Sequence, residues 1–245
     1  MELWPGVHLV GSGRNGFDLT DSYDCHVYLI DAGEEAALID AGCGVDADPL
    51  CREIDRLDAR RRLRKLILSH KHADHAGGAA LLRERYGLTV IASQHTADVV
   101  SQADEARMSL PEAKAAGGYP PDFVFRPCPV DIAVGEGDTI RIGKFTLRVV
   151  ETPGHCEGHL AFIGEVGGRS ALFSADSLFH GGRVVWQATY DCSVQDHVAS
   201  IRKLAELSFD ALLPGHLAIS LQRGKRHAEA ALERIARLEL PRHLV

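Results

Sequence analysis

The chain has 245 residues, 45% hydrophobic and 25% charged, a composition that excludes a disordered or fibrous protein and a length that can bury a sizeable core. Its 27 basic and 34 acidic residues leave a net charge of −7, which argues against a nucleic-acid partner, because phosphate contacts need clustered Lys and Arg. Met1-Glu2-Leu3-Trp4-Pro5-Gly6 has neither a basic nor a continuous apolar leader, and no apolar run is long enough to cross a bilayer, so a cytoplasmic protein without a membrane partner is expected.

Short runs rich in Val, Ile and Leu alternate with amphipathic segments, so the fold class is α/β. In chain order, strands are expected over 7–10, 27–30 and 36–39, then a helix over 48–57. The basic run Arg60, Arg61, Arg62, Arg64 and Lys65 suits a solvated helix end. A strand over 66–68, a helix over 76–86, a strand over 89–91 and a helix over 96–106 follow. Residues 105–129 contain Pro111, Gly117, Gly118, Pro120, Pro121, Pro127 and Pro129, with exposed-looking Met108, Tyr119, Phe123 and Phe125. That composition predicts an irregular, substrate-facing excursion, one wall of a pocket. Strands over 132–134, 139–142, 145–151, 160–163 and 171–173 lead to a helix over 194–207, a strand over 211–213 and a C-terminal helix over 220–238.

Each half offers strands followed by a helix, with His and Asp gathered at strand ends, a loose duplication without a detectable sequence repeat. The length fits one large α/β domain or two small ones, and a single domain over 1–245 is preferred. Cys25, Cys43, Cys51, Cys128, Cys156 and Cys192 form no CxxC pair. They suit reduced thiols rather than a disulfide framework or a zinc ribbon.

The strongest chemical signal is Ser69-His70-Lys71-His72-Ala73-Asp74-His75-Ala76-Gly77-Gly78, directly after an apolar strand. Residues i and i+2 of an extended chain project to one side, so His70 and His72 can grip one ion. Asp74 and His75, at the turn into the next helix, can face a second, and the Gly pair permits close backbone packing. Nitrogen and oxygen donors at this density suit zinc or a neighbouring transition metal. Thr152-Pro153-Gly154-His155 and Leu213-Pro214-Gly215-His216 each end a strand with a His, and such imidazoles are what an isolated HxHxDH lacks to complete two coordination spheres. Phe173-Ser174-Ala175-Asp176 puts a carboxylate at an apolar strand end, where burial without a cation or several donors would be costly.

The order of Asp40 in Leu38-Ile39-Asp40-Ala41-Gly42, the HKHADH cluster, TPGH, the lone Asp176 and PGH resembles the metallo-β-lactamase superfamily over about residues 5 to 220. The resemblance implies a four-layer αβ/βα sandwich with metals at one edge of two facing sheets. It also implies His70, His72 and His155 on a first ion, Asp74, His75 and His216 on a second, Asp176 between them, and Asp40 as a structural carboxylate. Two divalent ions are implied, zinc first, with iron or manganese as alternatives. A hydroxide bridging them would attack a carboxylic ester, thioester or lactone, with Asp74 orienting it and relaying a proton.

The superfamily does not fix the substrate. Metallo-β-lactamases of that family carry Cys or Ser where Asp176 stands, and lactonases carry a Tyr where Phe179 stands. Leu172 to Arg183 looks like the corresponding region of glyoxalase II-type thioesterases, whereas the short stretch after His216 leaves no room for that enzyme's helical C-terminal domain. The substrate is thus expected to be a small molecule, handled by a monomer or homodimer. His180, Arg183, Trp186 and Tyr190 are candidate pocket residues, Tyr190 as donor to the substrate oxyanion. His159 is expected to support the turn at His155, Lys71 to be structural or solvated, and His26 to be a candidate for the site mouth. His8, His95, His197, His227 and His243 receive no role. The alternatives are a mononuclear-iron oxidoreductase similar to persulfide dioxygenases, and β-lactamase-like or phosphodiesterase activity.

Overall fold

The computed structural model describes residues 1–243 and resolves into two compact units, one of residues 1–134 with 142–144, the other of residues 135–141 with the chain from Phe145 onward. Each contributes its own sheet and helices, so the fold is α/β.

The first unit carries a seven-stranded sheet in which strand order equals chain order: β1 (Glu2–Trp4), β2 (Val7–Gly11), β3 (Val27–Asp31), β4 (Ala36–Ile39), β5 (Leu63–Ile67), β6 (Thr89–Ala92) and β7 (Ile132–Ala133). β1 to β4 pair antiparallel and β4 to β7 parallel. Both faces of β3 and β4 are buried, which is why they read as unbroken apolar runs instead of alternating ones. One face packs Val27, Leu29, Leu38, Leu66 and Val90 against α1 (Asp48–Arg56), α3 (Ala79–Tyr86) and α4 (Gln94–Gln102) through Leu50, Ile54, Leu82 and Val99. Each such Leu, Ile or Val is worth about 1.5–3 kcal/mol when fully buried.

The second unit is built on a five-stranded sheet, order β13-β11-β10-β9-β8, formed by β8 (Thr139–Ile142), β9 (Phe145–Glu151), β10 (Leu160–Val166), β11 (Arg169–Ala175) and β13 (Ala211–Pro214). Helices α6 (Val194–Glu206) and α7 (Lys225–Ala236) cover it, Ile201, Leu204, Ala228 and Ile235 meeting Val150, Ala161, Leu172 and Leu212. The short strands β12 (Arg183–Val184) and β14 (Arg242–His243) pair with one another.

Three expected helices differ most in bounds, each for a backbone reason. The helix expected over 76–86 is a single turn, α2 (Ala73–Ala76), followed by α3. The carbonyls of His75 and Asp74 are taken by the Ala41 and Cys25 N–H groups, and a Cβ on Gly77 would lie 2.1 Å from the Cys43 carbonyl oxygen. The helix expected over 96–106 starts earlier, where Ser93 caps Thr96 N–H at 3.1 Å, and stops at Ala103, φ +51°. The C-terminal helix expected over 220–238 begins only at Lys225, because Ser220 and Gly224 are engaged by the backbones of Leu212 and Asp210.

The 105–129 excursion also departs from expectation. Met108 and Phe125 are buried in the core of the first unit together with Leu110 and Cys128, and Tyr119 and Phe123 pack against that core half-buried. The segment contains the helix α5 (Leu110–Ala115). Its aromatic side chains repay burial, so a proline-rich stretch reads as surface although its apolar residues point inward.

Candidate metal centre

In the first unit, β4 and β5 run parallel with Ile39 opposite Ile67. Asp40 and the segment from Leu68 to His72 therefore leave the carboxyl edge of the sheet side by side, the edge where open α/β sheets bind ligands. Asp40 has φ +64°, a left-handed conformation that Asp tolerates better than most residues. Its carboxylate is buried. Oδ1 accepts from the Ser69 N–H at 2.7 Å, and Oδ2 accepts from the Ser69 hydroxyl and from His75 Nδ1, each at 2.8 Å.

These contacts fix the imidazole tautomers. A carboxylate only accepts, so His75 Nδ1 carries its proton and Nε2 keeps the lone pair. Ser69 Oγ spends its proton on Asp40 and accepts from His70 Nδ1, 3.0 Å away, which leaves the lone pair of His70 on Nε2. That atom lies 3.1 Å from His72 Nδ1. Two nitrogens on one tetrahedral ion at about 2.0–2.1 Å each lie about 3.3 Å apart, so the pair has the spacing of two ligands of one metal.

Asp74 and His75 occupy the single turn α2. Asp74 Oδ2 is 3.6 Å from His75 Nε2, and Asp74 Oδ1 accepts from the Tyr119 hydroxyl at 2.9 Å. Burial and the charge of Asp74 hold that phenol well above its ordinary pKa, so it stays a donor. Cys25, Asp40 and His75 also gather closely. Burial pushes the Cys25 thiol up to about 12, however, and Asp40 meets the Nδ1 side of His75, so this trio braces His75. Lys71 is fully buried, its Nζ 3.3 Å from His95 Nε2. It is structural and not solvated.

In the second unit, β11 and β13 are parallel neighbours with Ala175 opposite Pro214, which puts Asp176 and His216 at one edge. Ala175 turns the chain through φ +43°, a strain of the kind that collects at functional positions. Asp176 Oδ2 faces two imidazoles at once, 3.6 Å from His155 Nε2 and 3.7 Å from His216 Nε2, the arrangement of an oxygen shared between two ion sites. His155 follows Gly154, whose φ of +129° and close approach to the His197 backbone leave no room for a Cβ. His159 supports the turn as expected, since its Nδ1 meets Thr152 Oγ1 at 2.9 Å and its Nε2 accepts from the Asp176 N–H at 3.2 Å. Phe179 stacks on His216 with ring centroids 6.5 Å apart.

The substrate candidates have varied surroundings. His180 is exposed and stacks on His227 at 4.4 Å, Arg183 is exposed within β12, and Trp186 is half-buried with its edge to His197 at 6.4 Å. Tyr190 is 61% exposed. His26 is buried and stacked on Phe17 at 5.4 Å, so it opens onto no mouth. His197 and His227, read as roleless, are buried and bonded, His197 Nε2 to the Ser177 carbonyl at 2.7 Å and His227 Nε2 to Ser220 Oγ at 2.6 Å. Sequence reasoning named Ser69, Tyr119 and Phe179 without the contacts they make with Asp40, Asp74 and His216. Ser69 adjoins the motif, and Tyr119 stands in the segment expected to face the substrate, but neither signal specifies the atom each residue touches.

A family model described as the metallo-beta-lactamase superfamily matches residues 21–216. A hydroxyacylglutathione hydrolase of Ruegeria pomeroyi is 34% identical over 200 residues, covering 81% of this chain and 63% of that protein. The hydroxyacylglutathione hydrolase GloC of Haemophilus influenzae is 30% identical over 62% of this chain and 65% of its own length. The chain thus spans less than two-thirds of these relatives. Among solved structures, a mutant metallo-beta-lactamase of Cronobacter sakazakii with the HARLDQ motif aligns with a TM-score of 0.67 at 26% identity, covering 97% of this chain and 85% of its own. A subclass B3 metallo-beta-lactamase of Bradyrhizobium japonicum aligns with a TM-score of 0.72 at 22% identity over 97% of this chain and 92% of its own, a likeness of fold.

Proposed function

The chain belongs to the metallo-β-lactamase superfamily, and from that premise we propose that it is a dinuclear metal-dependent hydrolase of a carboxylic ester, thioester or lactone of modest size. The observation that carries this reading is the pair His70 Nε2 and His72 Nδ1, held 3.1 Å apart, with the lone pair of His70 directed there by Ser69 and Asp40. His155 is assigned as the third donor to that ion, and Asp74, His75 and His216 as donors to a second. Asp176, whose Oδ2 faces both His155 and His216, is assigned to both. Neither unit's donors alone fill two coordination spheres, which is why all seven are assigned to one centre. The nitrogen-rich set favours zinc and also accepts iron or manganese.

Bound there, two divalent ions would ionise a water near neutral pH and polarise the scissile carbonyl. Water is the nucleophile in this reading because the thiols of the first unit are unfit. Cys25 is buried and pushed up to about 12, and Cys43 is also raised by burial, so neither presents a thiolate. With the ions bound, Asp74 would orient that water and relay its proton to the departing alkoxide or thiolate, its carboxylate held by Tyr119 through Oδ1. Tyr190, which protrudes into solvent, is assigned as donor to the substrate oxyanion, and Trp186 to the substrate pocket. His180 and Arg183, both exposed, are assigned to the same pocket.

Relatives named hydroxyacylglutathione hydrolase favour an acyl thioester over a β-lactam or phosphodiester. The test is a panel of thioesters, lactones, aryl esters, β-lactams and phosphodiesters, assayed with metal-depleted and zinc-reloaded protein. Zinc-dependent cleavage of a thioester, ester or lactone is expected. Inactivity across the panel, with iron bound and oxygen consumed with a persulfide, would overturn the reading in favour of an oxidoreductase.

A further inference from the structure

Resting on the metal reading above, we propose that Tyr119 is a positioning residue for Asp74, fixing which of its two carboxylate oxygens is offered as a donor. Asp74 stands on a helix of one turn. Tyr119 constrains its carboxylate from 45 residues away. Its hydroxyl donates to Asp74 Oδ1 at 2.9 Å and accepts from the Asp74 backbone N–H at 3.3 Å. One phenol oxygen therefore grips both the side chain and the backbone of the same residue, and Oδ2 is turned to the side of His75 Nε2, 3.6 Å away.

The phenol can serve as a fixed point because its ring is clamped. Tyr23 stacks on it with centroids 6.1 Å apart at 29°, and Phe123 stacks on it at 6.1 Å and 23°. The guanidinium of Arg14 lies 5.0 Å from the Tyr23 ring centroid and Lys114 Nζ 5.9 Å from that of Phe123, so a cation closes the stack at each end. Lys114 also pairs with Glu105, which accepts from the Phe125 N–H. The proline-rich excursion is thereby tied at several points, and its task in this proposal is to carry one hydroxyl to Asp74. Partners that hold a metal ligand in place typically contribute 10- to 100-fold to metal affinity.

The test replaces Tyr119 with Phe, which keeps the stacked ring and removes the hydroxyl. Zinc binding is titrated against a competing chelator, with the absorption bands of the cobalt-loaded protein as a second readout. Tyr119→Phe is expected to weaken the second zinc about 10- to 100-fold, leave the first unchanged, and lower kcat with little change in KM. In an Asp74→Ala background, which leaves Tyr119 no carboxylate to hold, the same substitution is expected to add nothing, since the effect runs through Asp74. Wild-type affinity for the second zinc, equal weakening of both ions, or a full additional loss in the Asp74→Ala background would each overturn the role of Tyr119. Wild-type protein that fails to take up two ions would instead overturn the dinuclear reading and this proposal with it.

Discussion

Asp40→Asn exchanges one oxygen for an amide nitrogen at the point where the first unit fixes its ligand tautomers. Asn keeps an acceptor for the Ser69 N–H but presents NH2 where Oδ2 received the Ser69 hydroxyl and His75 Nδ1, both at 2.8 Å. Hydrogen bonds to a charged group contribute about 1.5–3 kcal/mol each and neutral ones about 0.5–1.5, so exchanging two of the first kind for two of the second costs about 2–3 kcal/mol of stability in the metal-free protein. The φ of +64° does not complicate the comparison, because Asn adopts that region readily. Faced with a donor, His75 must move its proton to Nε2 and Ser69 must turn its own toward His70, so both imidazoles lose the lone pair that a metal needs. Affinity is then expected to fall at least 10- to 100-fold, about 1.4–2.8 kcal/mol. Chelator competition measures the affinity and urea unfolding of the metal-free protein measures the stability. Zinc binding within twofold of wild type would refute the tautomer reasoning, whatever the stability change.

Burial holds His197 at a pKa of about 4, below its ordinary 6.5. Between those values the unfolded chain takes up a proton that the folded one refuses, so the contribution of this group is intact above pH 6.5 and is lost as pH falls toward 4, at up to about 1.4 kcal/mol per pH unit. His197→Gln should flatten the acid limb of urea-unfolding stability by that slope, and an unchanged limb would contradict the assignment. Gly154→Ala places a Cβ 2.3 Å from the His197 nitrogen at φ +129° and is expected to cost about 3 kcal/mol or more. A thermal midpoint equal to wild type would rule that clash out. Tyr190→Phe should lower kcat about 10- to 100-fold if the hydroxyl meets the oxyanion, and unchanged turnover on every cleaved substrate removes it from the mechanism.

The strand ends that carry the assigned donors were legible because the chemistry repeats there, an apolar strand closing on His or Asp at positions 70, 155, 176 and 216. Spacing alone also placed His70 and His72 on one side of the chain, as their facing nitrogens bear out. The break between α2 and α3 was not legible, because the Ala41 and Cys25 N–H groups that claim its carbonyls lie more than 30 residues away. The inward turn of Met108 and Phe125 was hidden by the prolines around them, since loop composition reports backbone irregularity and not side-chain direction. Ser69, Tyr119 and Phe179 act through contacts with Asp40, Asp74 and His216. Ser69 and Tyr119 reach across 29 and 45 residues, and no local pattern encodes such a partner.

An anomalous-difference map from crystals of the zinc-loaded protein, collected across the zinc edge, bears most directly on the dinuclear centre. Two peaks per chain are predicted, one bounded by His70, His72 and His155, the other by Asp74, His75 and His216, with Asp176 reaching both. A single peak, or none within reach of His70 and His72, would contradict it.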